Sequence, residues 1–158
     1  MEKRDYERLC RLIKILIALT LAFIWINSLM PRAESQAMSR GLLDRIVELL
    51  RWIGIRLSPG SDHFLRKLAH FVEFGILGAE FSLLLHLRGR QSRQGFVNCA
   101  FAGLSAAVID ESLQLLSKRG SQVQDVLLDF CGFMVGLWIC AVIYRSVSQK
   151  QGGRDKAP

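Results

Sequence analysis

From Ile15 to Met30 no residue carries a charge, and a helix over 12–30 would cross about 30 Å of hydrocarbon at about 1.5 Å of rise per residue. Such a run is either a membrane anchor or a cleaved secretory signal. The basic residues before it (Lys3, Arg4, Arg8 and Arg11) suit both. The residues after it, Asn27-Ser28-Leu29-Met30-Pro31-Arg32, offer no small-x-small cleavage site, so an uncleaved span is the expectation. Three more apolar runs follow, over 68–87, 96–116 and 126–144. Each is interrupted by ionisable residues: His70, Glu73 and Glu80 in the second, Asp110 and Glu111 in the third, Asp129 in the fourth. A soluble domain of 158 residues seldom carries several runs of this length.

The expected fold is therefore an all-α polytopic membrane protein with four transmembrane helices. Residues 1–11 form an amino-terminal flank, 12–146 the membrane domain, and 147–158 a polar, disordered tail. A net charge of +7 raises the question of nucleic acid. In a chain with 51% hydrophobic residues, basic groups flanking membrane spans explain it better, and no nucleic-acid partner is expected. Those groups cluster in the first flank, in the loop holding Arg88, Arg90 and Arg93, and in the tail with Arg145, Lys150, Arg154 and Lys156. With four spans all three clusters share one side, which the positive-inside rule makes cytoplasmic.

The loop over 31–67 is also basic, yet would face outward. Leu42, Leu43, Ile46, Leu49, Leu50, Ile53 and Leu57 recur there at helical spacing, with Arg40, Asp44, Arg45, Glu48 and Arg51 opposite. The spacing predicts an amphipathic helix over 40–57, lying on the outer membrane surface with its arginines reaching toward headgroups. Cys10, Cys99, Cys131 and Cys140 show no CxxC spacing, so neither a disulfide framework nor a zinc site is indicated. Trp25, Trp52 and Trp138 suit interfacial belts or lipid contacts.

Charge at membrane depth is costly and is commonly kept for function or for a buried ion pair. The topology brings these anomalies to one level. Arg66, Lys67, His70 and Glu73 fall at the outer end of the second span, and Asp110, Glu111 and Gln114 at the outer end of the third. Arg119 and Asp125 fall in the outer loop, with Asp129 one turn into the fourth span. His70, Glu73, Asp110 and Asp129 all lie within roughly 10 Å of the outer boundary. Arg66, His70 and Glu73 share a helical face, and Asp125, Asp129, Gly132 and Gly136 form a single stripe. Gly75 and Gly78 on the second span and Gly103 on the third add small surfaces for close helix packing. The second, third and fourth spans are thus expected to enclose an outward-opening polar pocket.

These residues also carry a family resemblance. Lys67-x-x-His70-Phe71-x-Glu73-Phe74-x-x-Leu77-Gly78, then Asp110-Glu111-x-x-Gln114, Arg119, Asp125-Val126 and Gly132-x-x-x-Gly136, together resemble the VanZ-like family of small polytopic bacterial membrane proteins. One departure is Asp129, where that family commonly has asparagine ahead of the glycine pair. The resemblance implies a multi-pass protein of the bacterial inner membrane and, for some members, low-level teicoplanin resistance.

Three functional readings follow. In the first, Arg66, Lys67, His70 and Arg119 rim a pocket for a phosphate-bearing headgroup or a cell-wall precursor lipid. In the second, the protein is an intramembrane enzyme on such a precursor. His70 and Glu73 then act as base and orienting partner, and Asp110 and Glu111 hold Mg²⁺ or Mn²⁺. In the third, the charges only lock the bundle as an ion-pair network. A resident cofactor is not expected beyond that metal, and self-association is compatible with all three. His63 reads as a loop histidine, His86 as an interfacial one, and Glu80 as a partner for Asn98 on the third span.

Overall fold

The computed structural model describes residues 3–30, 52, 62–117 and 122–154. The regular structure among them is α1 (Lys3–Leu29), α2 (Asp62–Leu87), α3 (Arg93–Leu116) and α4 (Val123–Arg154), with no strand among the described residues. All four helices are long and apolar enough to cross a membrane. Their outward faces are greasy: Leu12 and Leu19 are each 61% exposed, Trp138 64% and Phe101 71%. A surface of that kind on every helix is at home against lipid and not against water.

Local chemistry sets the ends. Asp5 stands in the first turn of α1, where a negative charge complements the helix dipole. At the end of α2, Gly89 adopts φ +60°; its N–H donates to the His86 carbonyl, and that of Arg90 donates to Leu85. This is a Schellman termination, and only glycine takes that backbone cheaply. Ser92 then caps α3 by accepting from the Gly95 N–H at 3.0 Å. The second and third helices are thereby joined by a turn too short to wander.

The helices pack as a bundle in which α2 and α4 approach most closely. A Cβ on Gly78 would overlap the Phe133 carbonyl, one on Gly132 the Phe71 carbonyl, and one on Gly136 the Gly75 carbonyl. Backbone therefore meets backbone along this seam. Between lipid-bathed helices there is no hydrophobic gain on association, so such close packing supplies much of the adhesion. Gly103 of α3 makes room for the ring of Phe133, against which Phe81 stacks edge-on at 5.5 Å. Ile24 from α1 and Ala107 from α3 are completely buried in the same core as Phe74 and Leu77. The first helix packs on α2 and α3.

Several expectations change. Glu80 pairs with Thr20 of α1, whose hydroxyl donates at 2.8 Å, and not with Asn98. Asn98 is exposed and accepts from Gln94. The reason is that α1, rather than α3, covers α2 at that level. His86, in the last turn of α2, is buried: its Nδ1 lies 2.8 Å from the Ser82 carbonyl and its ring rests on Tyr144. His63 belongs to the first turn of α2 rather than to a loop. The last helix continues to Arg154, past the boundary at 147 where the disordered tail was expected to begin. Gln149, Lys150 and Gln151 are good helix formers, which extends the element beyond its apolar part. The amphipathic helix over 40–57 lies outside the described residues, apart from Trp52, which is helical and 85% exposed.

Candidate functional site

Four helix ends meet at one end of the bundle, because α1 and α3 finish where α2 and α4 begin. Here the first turns of α2 contribute Arg66, Lys67, His70 and Glu73. The last two turns of α3 contribute Asp110, Glu111 and Gln114. The first two turns of α4 contribute Asp125 and Asp129, and the last turn of α1 contributes Ser28. The glycine seam fixes the lateral register, since Gly132 rests against the backbone of Phe71, the neighbour of His70.

Asp110 is fully buried and well held. Ser28 donates its hydroxyl proton to Oδ1 at 2.6 Å, and Gln114 donates from Nε2 to Oδ2 at 2.9 Å. His70 Nδ1 lies 3.8 Å from the same Oδ2. Ser117 completes the frame by donating to the Ser28 carbonyl, which ties the end of α3 to the end of α1. Glu111 is 3% exposed and accepts from the Gln122 N–H at 3.2 Å, which clips the start of α4 onto α3.

Asp129 is different. It is 1% exposed, and neither carboxylate oxygen has a hydrogen-bond partner among the described residues. The charges of Asp110, Glu111, Asp125 and Glu73 all bear on it. Glu73 is half-buried, and its Oε2 is likewise without a hydrogen bond among the described residues. Nearer the surface, Lys67 Nζ and an Asp125 oxygen form an ion pair at 2.5 Å, with both side chains about a quarter exposed (28% and 22%). The layout is a charged lid of Lys67 and Asp125, a half-buried His70 beneath it, and carboxylates at the base.

The described members of the sequence-derived set thus gather at this end of the bundle, with Arg66 half-buried in the second turn of α2. Arg119 lies outside the described residues. The carboxylates of Asp110, Glu111 and Asp129 are enclosed rather than lining an open mouth. Ser28 was missed, although it and Asn27 are polar residues ending an otherwise apolar run at the depth of Asp110. The first span belongs to the site, because α1 packs on α3 as well as on α2.

The opposite end has another character. Arg11, Lys14 and Arg88 line a cleft there with Tyr6, Glu7 and Cys10. The bundle is therefore basic at one end and acid-rich at the other. The family model described as VanZ/LLP1 matches residues 13–144, which takes in α2 and α3 whole, most of α1 and α4, and every described member of the cluster. No curated protein and no solved structure matches the chain.

Proposed function

The chain belongs to the VanZ/LLP1 family, and from that premise we propose that it binds the polar headgroup of a cell-envelope lipid at the carboxylate-rich end of its bundle. The observation that carries this reading is the Lys67–Asp125 pair roofing the buried Asp110, Glu111 and Asp129. An ion pair that is about one-quarter exposed can be opened by a ligand that replaces both partners. A phosphate satisfies Lys67, while amide, amine or hydroxyl donors satisfy the carboxylate of Asp125. Cell-wall precursor lipids carry both kinds of group. The basic end, with Arg11, Lys14 and Arg88, supports a cytoplasmic assignment for both termini, which turns the carboxylate-rich end outward. The bacterial inner membrane and an effect on teicoplanin susceptibility are parts of the same proposal.

A second reading, an intramembrane enzyme on the same class of lipid, is favoured by one contact: His70 Nδ1 stands 3.8 Å from Asp110, within reach of a base-and-orienter pair after a small closure. One experiment addresses both. Purified protein in nanodiscs is titrated with a fluorescent lipid-linked cell-wall precursor, and product is assayed in parallel. Saturable binding that weakens about tenfold in Lys67→Gln and in Asp125→Asn, without turnover, supports the headgroup site. Turnover promotes the enzyme. Equal binding by wild type and both variants rules out this site as the receptor.

A further inference from the structure

We propose that His70, Asp110 and Asp129 form a site for one divalent transition-metal ion, of the Mn²⁺ or Zn²⁺ class. One ligand atom from each of these residues lies within 4.8 Å of the other two. Around a metal with bonds of about 2.0–2.2 Å, donors at tetrahedral angles stand about 3.3–3.6 Å apart, so contraction by about 1.2–1.5 Å at most, shared among three side chains, closes the sphere. Rotamer adjustments supply that much without moving a helix.

Asp129 provides the independent reason to expect an ion. Its carboxylate is 1% exposed, and both oxygens lack a hydrogen-bond partner among the described residues. An ionised carboxylate so placed needs a positive partner, and Lys67 is already engaged by Asp125. The surroundings add negative charge: Glu73 from α2, Glu111 from α3 and Asp125 from α4. Helix α1 contributes the neutral Ser28 hydroxyl, which donates to Asp110. A doubly charged cation on Asp110 and Asp129 makes the trio neutral, which a low-dielectric interior favours over two bare acids.

The supporting shell is present as well. Ser28 and Gln114 each donate a hydrogen bond to Asp110, which orients that carboxylate as an outer shell orients a metal ligand. One imidazole nitrogen with two carboxylates selects against the all-oxygen preference of Ca²⁺ and Mg²⁺. Glu73 and Glu111 lie close enough for their charges to bear on Asp129, which further favours a cation there. The ion would fix α2, α3 and α4 to one another at the mouth of the bundle, and the site does not depend on whether a lipid binds there.

The test uses the full chain, purified in detergent and stripped with chelator, with no lipid precursor present. Mn²⁺ is titrated while the free ion is followed by electron paramagnetic resonance, with Zn²⁺ and Mg²⁺ as competitors. The expected result is saturation at about one ion per chain, displacement by Zn²⁺, and competition by Mg²⁺ at least about tenfold weaker. Asp129→Asn and His70→Gln each weaken binding by about tenfold or more, while Glu80→Gln, at the α1–α2 contact, leaves it unchanged. Asp129→Asn removes a buried unpaired charge and so should fold; His70→Gln provides a second route. Absence of a stoichiometric site in the wild type, or wild-type affinity in both variants, overturns the proposal. Because no precursor is present, that failure leaves the headgroup reading standing.

Discussion

Ser28 and Asp110, separated by 82 positions in the chain, share a 2.6 Å hydrogen bond in which the serine hydroxyl donates to the fully buried carboxylate. This bond joins the end of α1 to the end of α3 and makes the first span part of the site. Ser28→Ala leaves Asp110 Oδ1 without that donor and should cost about 1 kcal/mol of stability, as hydrogen bonds between membrane helices typically do. Thermal unfolding in detergent checks it. An unchanged midpoint would mean that the bond is replaced or contributes nothing.

The glycine seam makes a sharper, two-sided prediction. Gly136→Ala drives a methyl into the carbonyl of Gly75, and backbone cannot step aside as a side chain can. The substitution should destabilise the bundle by about 2 kcal/mol or more and separate α2 from α4. Gly75→Ala, by contrast, places its methyl 3.5 Å from the Gly132 carbonyl, an ordinary contact, and should stay within about 0.5 kcal/mol of wild type. Unfolding midpoints of the two proteins side by side decide it.

Much of this was legible before any coordinates. The spans announced themselves by length and lack of charge, and the glycine spacing marked which faces meet. The level at which His70, Asp110 and Asp129 gather followed from counting residues along antiparallel helices. What was not legible was lateral. Sequence spacing says which residues share a helix face but not which helix that face addresses, so Glu80 was assigned to Asn98 when α1 supplies Thr20. Ser28 was overlooked for the same reason. The enclosure of the carboxylates, too, depends on how closely α2 and α4 pack, which a pattern of glycines permits but does not measure.

Lys67 and Asp125 should behave as an energetically coupled pair. With both side chains about a quarter exposed, the coupling from a double-mutant cycle is expected to be about 1 kcal/mol. Lys67→Met and Asp125→Leu, alone and combined, give it from unfolding. The double variant should be as stable as the better single one yet fail to bind headgroup. Additive singles would show that the pair is not a unit.

Glu80 is the built-in control. Its Oε1 accepts from Thr20 at 2.8 Å, and Glu80→Gln retains that acceptor while removing an ionisable group from membrane depth. Stability should be unchanged or raised, and headgroup binding unaltered. Loss of binding in this variant would relocate the functional centre toward the middle of the bundle.

The central claim is that the carboxylate-rich end faces out of the cell, and side-specific labelling tests it most directly. In a background with Cys10, Cys99, Cys131 and Cys140 replaced, single cysteines are placed at Gln122 and Arg90, two exposed positions at opposite ends of the bundle. The account predicts that Gln122→Cys reacts with a membrane-impermeant maleimide on intact cells, while Arg90→Cys reacts only after permeabilisation. The reverse pattern would contradict it and move the Lys67–Asp125 lid to the cytoplasmic face.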